Sequence, residues 1–267
     1  MRVSADFKDW ALDALSGRWK TAVLAGIVAS LLGAAAGGGS SSGSSSSNGS
    51  YNFNFLPDDI KTLFTVLLIG IIIYGIFVIV IGGAARLGYS IFNLKLIDGK
   101  EVSVSDVTSQ LHRIGDGFCM NFFIGLYTFL WSLLFVIPGI IKTLSYSMAP
   151  YILAEHPEYT AHDAINESKE IMDGNKWRLF CLQFSFIGWN LLCALPVIIL
   201  MLFIPSALRA GAGQTILLLI LTIPLSAGYY FLAPYQNAAM AAFYRDVSGT
   251  EVKTEPEKTE YGKWYYN

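Results

Sequence analysis

Apolar residues in this chain gather into long unbroken runs, and the polar residues fall between them. The clearest run covers residues 62–85 (TLFTVLLIGIIIYGIFVIVIGGAA) and holds no charge. As a helix it rises roughly 36 Å, enough to cross a ~30 Å hydrocarbon core with some tilt. Five further runs lie at 21–36, 118–136, 140–154, 179–204 and 215–243. The first rises only roughly 24 Å, so Trp19 and the glycines after it would have to extend it. Its Ala25, Ala29, Gly33 and Gly37 fall four apart, a small-residue stripe suited to close helix packing. The run at 140–154 is short and carries Lys142 and Pro150. It follows Pro138-Gly139, and reads either as a fourth span returning after a tight turn or as a re-entrant segment. Pro196, and then Pro224 and Pro234, interrupt the last two runs and are expected to kink them. The pattern predicts an all-α, polytopic transmembrane helical bundle of about six spans, one domain over residues 21–245.

The segments between the runs add detail. Residues 1–20 hold an amphipathic helix in which Phe7, Trp10, Ala11, Ala14 and Leu15 share a face. Ser4 is the expected N-cap and Gly17 the expected stop. Such a helix either lies in the membrane interface or packs on the protein's own loops. A cleaved signal peptide is a rival reading of the first run, because Ala34-Ala35-Ala36 resembles a cleavage site. The aspartates ahead of it are unlike a basic leader. Residues 37–50 are a Gly/Ser-rich, low-complexity loop. Its Gly39-Ser40-Ser41-Ser42-Gly43 matches G-x-S-x-G formally, but that chemistry needs a strand-to-helix turn. Residues 86–97 read as an aromatic-rich interfacial stretch beginning at Arg86. Asp98-Gly99 turns the chain, and Ser103 or Ser105 caps a short helix carrying Val107, Leu111 and Ile114. The most polar block, 155–178, holds a helix from Thr160, with Asp163 completing a capping box and Gly174 as the stop. Residues 246–267 form a charged, loose tail.

Composition agrees with the pattern. The chain has 267 residues, 54% of them hydrophobic and 14% charged, where soluble domains carry about 25% charged residues. Mean hydropathy is +0.49, too apolar for a soluble domain. A net charge of −2 offers no basic surface for nucleic acid. With six spans, all of the eighteen basic residues except Lys61, Lys142 and Arg209 fall on the side of the two termini. The positive-inside rule then places both termini in the cytoplasm and the Gly/Ser-rich loop outside.

Candidate chemistry is sparse. Cys119, Cys181 and Cys193 lie in apolar runs without metal-ligand spacing, and His156 and His162 fall on different helix faces. The cysteines read as small buried hydrophobes, and the histidines make no metal site. No metal-binding, P-loop or dinucleotide motif is present. Catalytic, cofactor and metal residues are therefore expected to be none, and the protein is expected not to be an enzyme. The polar residues at membrane depth are Asn121, Gln183, Asn190, Gln236 and Asn237, with Lys142 near a span end. Amides at such depth commonly bridge helices, and a lysine near a span end can snorkel to water. Lys142, Asn190, Gln236 and Asn237 are the residues to examine for a ligand, Gln236-Asn237 first because Pro234 breaks the helix beside them.

The stretch WSLLFVIPGIIKTLSYSMAPYILAEHPEYTAHDAINESKEIMDGNKWRLF at 131–180 resembles a bacterial integral membrane family, domain of unknown function 975. FSFIGW at 184–189, PYQNAAMAAFYRD at 234–246 and GYSIFNLKLIDG at 88–99 continue the likeness. Residues 195–230 depart from the family's pattern, which joins the last two spans more briefly. The resemblance implies a multi-pass protein of a bacterial cell membrane and no established activity, so it carries no site residue over. The leading expectation is a non-enzymatic membrane protein acting through association with the lipid bilayer, a membrane-protein partner or a second copy of itself. The alternative is a transporter or channel-like protein for a small or lipid-like solute. The two differ in whether the polar amides converge on a cavity or are used up between helices.

Overall fold

A computed structural model describes residues 3–34, 58–210, 217, 220, 221, 224 and 227–249. The Gly/Ser-rich segment 37–50, Gly37 of the small-residue stripe, most of residues 211–226 and the tail beyond residue 249 lie outside the described residues. Everything regular among the described residues is helical. The order is α1 Ser4–Leu15, α2 Trp19–Leu31, α3 Asp58–Ile97, α4 Ser105–Thr108, a 3₁₀ turn Leu111–Arg113, α5 Ile114–Leu134, α6 Val136–Ser145, α7 Ala149–Glu155, α8 Ala161–Ile171, α9 Lys176–Ala210 and α10 Ala227–Ser248.

Among the described residues, three stretches are long and apolar enough to cross a membrane: Ile72–Ile97, Ser105–Leu134 and Lys176–Leu200. Their apolar side chains are largely uncovered by protein. Ile73 and Ile79 on α3, Leu133 and Leu134 on α5, and Leu191 and Leu192 on α9 are all exposed. Contiguous apolar surface on this scale is not left facing water, so these faces fit lipid. The helix of the first run, α2, is apolar but only 13 residues long.

The second run does not end at Arg86. α3 continues unbroken to Ile97, 40 residues in all. A charge can sit inside the helix because its guanidinium Nη1 donates to Asn121 Oδ1 on α5 at 3.1 Å. Residues 86–97 are correspondingly not an interfacial strip. Leu87, Phe92, Leu94, Leu96 and Ile97 are buried in the protein, as are Ser90 and Asn93. The turn at Asp98-Gly99 forms as expected, with Gly99 at φ 72°.

The segment 140–154 is not one continuous helix. α5 ends where Phe135 adopts extended backbone (φ −157°, ψ 148°), one turn earlier than Pro138-Gly139 suggested. Pro138 instead sits in the first turn of α6, where its missing N–H leaves no bond unmade. α6 then stops at Ser145. Pro150 cannot donate to the Tyr146 carbonyl, and residues 146–148 turn the chain before α7. Every residue of α7 from Ala149 to Ala154 is buried. α9 runs through Pro196 as one helix.

Glycines set the closest crossings. A Cβ on Gly117 of α5 would overlap the backbone of Gly83 and Ala84 on α3, and one on Gly83 would overlap Gly117. Ala25 and Ala29 of α2 are buried, and a Cβ on Gly33 would overlap Val78. The small-residue stripe is used for packing within the chain.

The N-terminal helix spends its apolar face on the protein. Phe7, Ala11 and Leu15 are buried, and the Phe7 ring meets Phe243 of α10 edge-on at 5.3 Å. Arg178 of α9 lies 5.7 Å from the centroids of both rings and is paired with Asp246 at 2.5 Å. The apolar stripe of α1 thus packs on α9 and α10, for the physical reason that it finds aromatic partners there. The N-cap is Val3 rather than Ser4, its N–H donating to Asp6 Oδ2 at 2.8 Å. Gly17 does supply the stop, at φ 74°.

At the same end of the bundle, three helix termini are tied together. Arg245 of α10 donates through Nε and Nη2 to the Asp98 carboxylate at 2.8 and 2.7 Å. Its Nη1 donates to Glu155 at the end of α7 at 2.6 Å. The Tyr244 hydroxyl reaches the same carboxylate at 2.8 Å. Lys100 also approaches Asp98, at 3.1 Å. The polar block 155–178 is anchored nearby. The Thr160 hydroxyl accepts from the Asp163 amide and donates to its carboxylate, and that carboxylate accepts from the Thr160 amide. These bonds hold the exposed Asp163 carboxyl below its usual range. Ala164 and Ile165 are buried, Ser168 donates to the Ser145 carbonyl at 2.8 Å, and Gly174 ends the segment at φ 76°.

Candidate functional site: a polar-lined cavity

Between α2, α3, α5, α7, α9 and α10 lies a cavity of about 610 Å³. That size suits a small organic ligand, since ligand pockets run from about 300 to 1,000 Å³. One wall comes from α3. Arg86, Tyr89, Ser90 and Asn93 all line the cavity, because positions three, four and seven apart share a helix face. Arg86 is eleven residues from the end of α3, roughly 16 Å along the axis, and so lies well inside the bundle.

The opposite wall carries amides. Gln183 and Asn190 come from α9, and Gln236 and Asn237 from α10. Their hydrogen bonds are mostly local. Asn190 donates to the Phe186 carbonyl at 3.0 Å and Asn237 to the Ala233 carbonyl at 2.8 Å, each one turn back on its own helix. Asn93 does likewise with Tyr89 at 2.7 Å. Among the described residues, no hydrogen bond runs from the Asn190, Gln236 or Asn237 side chain to another helix. Gln183 approaches only the Met240 sulfur, at 4.0 Å. Asn190, Gln236 and Asn237 therefore converge on a cavity and do not bridge helices among the described residues, while Gln183 reaches from α9 to Met240 on α10. Leu182, Phe186, Met240 and Ile124 give the cavity apolar surface as well.

Sequence reasoning put forward Lys142, Asn190, Gln236 and Asn237. The structure brings the last three to one cavity and leaves Lys142 out of it. Lys142 lies on the α5–α6 hairpin with its ammonium 4.8 Å from the centroid of the Trp131 ring, a cation–π contact. Asn121 is engaged by Arg86. Reasoning from the runs missed Arg86, Tyr89, Ser90 and Asn93, since a span closed at residue 85 puts them outside the membrane. The signal was present as a polar stripe at helical spacing inside an otherwise apolar and aromatic stretch.

The Tyr89 hydroxyl stands apart among these groups. It is buried and makes no hydrogen bond. It lies on the side of α2, where Gly26 leaves room: a Cβ there would sit 3.5 Å from that oxygen and 3.4 Å from Pro234 Cγ. Buried hydroxyls are normally satisfied, so Tyr89, whose residue lines the cavity, carries a buried hydroxyl that the protein itself leaves without a hydrogen bond. Among the described residues, no group of His, Cys, Asp and Glu side chains is arranged to hold a metal ion.

Apolar helices uncovered by protein surround a cavity lined, among the described residues, by one cationic side chain and several amides, which fits a membrane-associated helical protein with a polar interior chamber. The family model described as "Protein of unknown function (DUF975)" matches residues 133–251, which supports the resemblance read from 131–180, 184–189 and 234–246. The matched segment runs from the end of α5 through α10. It supplies the amide wall of the cavity, while Arg86, Tyr89, Ser90 and Asn93 lie before it. No curated protein and no solved structure matches the chain.

Proposed function

We propose that this chain is a multi-pass protein of a bacterial cell membrane, with about six spans and both termini cytoplasmic. It works without enzymatic chemistry by holding a small or lipid-like solute in its intramembrane cavity, as a carrier or a solute-binding membrane protein. The observation that carries this reading is the convergence of Asn190, Gln236 and Asn237 on one cavity with no helix–helix hydrogen bond among the described residues to occupy them. Polar groups at membrane depth are costly unless they serve a partner, and a solute is the partner left for these. The mixed lining, amides and hydroxyls beside Leu182, Phe186 and Met240, suits an amphiphile.

The rival reading, docking of a protein partner on the 155–178 block, is weakened by that block's own packing. Its apolar stripe, including Ala164 and Ile165, is buried against the bundle.

The test is native mass spectrometry of the full-length chain gently extracted from its own membrane. The wild type is expected to carry one small molecule or lipid per chain. Gln236→Ala/Asn237→Ala is expected to lose it while melting at the same temperature. Undiminished retention in a normally folded double variant would remove the amide wall from the site and with it this reading.

A further inference from the structure

The charge of the cavity is one-sided. Arg86 lines it, and no Asp, Glu or second cation does among the described residues. A guanidinium inside a bundle of this kind is costly to bury, and such residues mark the path or site of a charged partner. Arginine presents a planar fork of donors that matches oxyanions, carboxylate or phosphate, two bonds at a time. The neighbouring groups on the same wall are hydrogen-bonding groups. One turn along α3 is the buried Tyr89 hydroxyl, which has no hydrogen-bond partner, and such a hydroxyl can donate to an oxyanion. Ser90 spends its donor on the Arg86 carbonyl at 3.0 Å, and Asn93 spends one of its two N–H donors on the Tyr89 carbonyl at 2.7 Å.

We infer that the cavity is an oxyanion site. It takes a ligand with net negative charge through a phosphate or carboxylate group, Arg86 supplying the charge and the Tyr89 hydroxyl a hydrogen bond. The apolar surface of Leu182, Phe186, Met240 and Ile124 then receives whatever aliphatic part the ligand carries. This inference rests on the solute-binding reading above and narrows it to one class of ligand. The oxyanion can belong to a lipid headgroup or to a free anion, and the experiment separates the two.

The full-length protein is exchanged into detergent containing equal dioleoylphosphatidylglycerol and dioleoylphosphatidylcholine, and lipid retention is read by native mass spectrometry. Melting temperature is read in parallel with and without inorganic phosphate. The wild type is expected to retain the anionic lipid about tenfold over the zwitterionic one, the scale of one charge-assisted hydrogen bond. Arg86→Gln is expected to reduce that preference to within about twofold, and Arg86→Lys to keep part of it, because the lysine retains charge but not the fork. Tyr89→Phe removes one oxygen that no protein group uses. It is expected to weaken retention of the anionic lipid about threefold, at the low end of a single hydrogen bond, and to leave the zwitterionic lipid unaffected. If inorganic phosphate raises the melting temperature of the wild type but not of Arg86→Gln, and neither lipid is preferred, the site holds a free anion and the inference stands.

Equal retention of both lipids by the wild type with no effect of phosphate, or an unchanged preference in Arg86→Gln, overturns the oxyanion site. The cavity reading survives that result if Gln236→Ala/Asn237→Ala still loses the solute carried from the native membrane, and falls separately if it does not. Should Arg86→Gln fail to fold, Tyr89→Phe decides alone, since an unchanged preference there leaves the hydroxyl without the role assigned to it.

Discussion

Replacing Arg245 by methionine is expected to cost the folded chain about 3 kcal/mol, at the lower end of the range for breaking a buried ion pair. The guanidinium holds the ends of α3, α7 and α10 together through Asp98 and Glu155. The Arg245 and Asp98 side chains are only 7% and 3% exposed. Removing the arginine leaves Asp98 in a poorly solvated position, and that stranded carboxylate dominates the cost. Two features keep the figure from the top of the range. Glu155 is a quarter exposed, and Lys100 stays within 3.1 Å of Asp98. The double variant Asp98→Asn/Arg245→Met is expected to recover part of the loss, because it neutralises the stranded group. Thermal unfolding of the four proteins in one detergent measures this as a double-mutant cycle. Additive losses would mean that the two residues do not act as a pair.

Gly117→Ala is expected to destabilise by about 1–3 kcal/mol, the range for overpacking. The glycine faces the backbone of Gly83 and Ala84 across the α3–α5 crossing, so no side chain can swing aside and the helices must separate. Gly125, two turns on in the same helix, has nothing within 4 Å of an added Cβ. Gly125→Ala is expected to be neutral or slightly stabilising, since alanine is the better helix former by about 1 kcal/mol. The same substitution thus takes opposite signs at two positions on one helix. Unfolding curves for both variants check this, and equal shifts would show that α3 and α5 do not cross at Gly117. Because α3 carries Arg86 and Tyr89, separation at this crossing is also expected to disturb the cavity.

Much of the helical architecture was legible from hydrophobic runs, because burial in lipid demands long apolar helices and leaves little room for other patterns. The stops at Gly17, Gly99 and Gly174 were legible too, since a positive φ at the end of a helix favours glycine. The cap at Thr160–Asp163 follows from local chemistry alone. Illegible features depended on partners distant in the chain. Arg86 looked like the end of a span until Asn121 and the cavity supplied its surroundings. The α1 stripe reads as a membrane face or as a packing face from sequence alone, and its contacts with Phe243 and Arg178 show the packing. Pro138 signals interruption, but only the fold shows that Pro138 and Pro150 each sit in the first turn of a new helix, α6 and α7, and that the break before Pro150 divides the 140–154 run. For the site, Asn190, Gln236 and Asn237 could be named from polarity at depth, whereas Tyr89 and Asn93 required the register of α3. Lys142 was named on the same polarity argument. It is held instead by Trp131, a contact that depends on the hairpin geometry.

Polar side chains within these apolar helices face a common cavity and neither lipid nor a packed seam. Cysteine accessibility in intact membranes measures this. In a background with Cys119, Cys181 and Cys193 replaced, single cysteines are placed at Asn190 and at Leu191, which is 59% exposed on the outer face of α9. Thiolate is the reactive form, and it requires a polar surrounding. A small water-soluble thiol reagent is expected to label Asn190→Cys and spare Leu191→Cys, and an occupant of the cavity is expected to slow the first reaction. Labelling of Leu191→Cys with protection of Asn190→Cys, or equal inertness of both after the cavity is emptied, would contradict it.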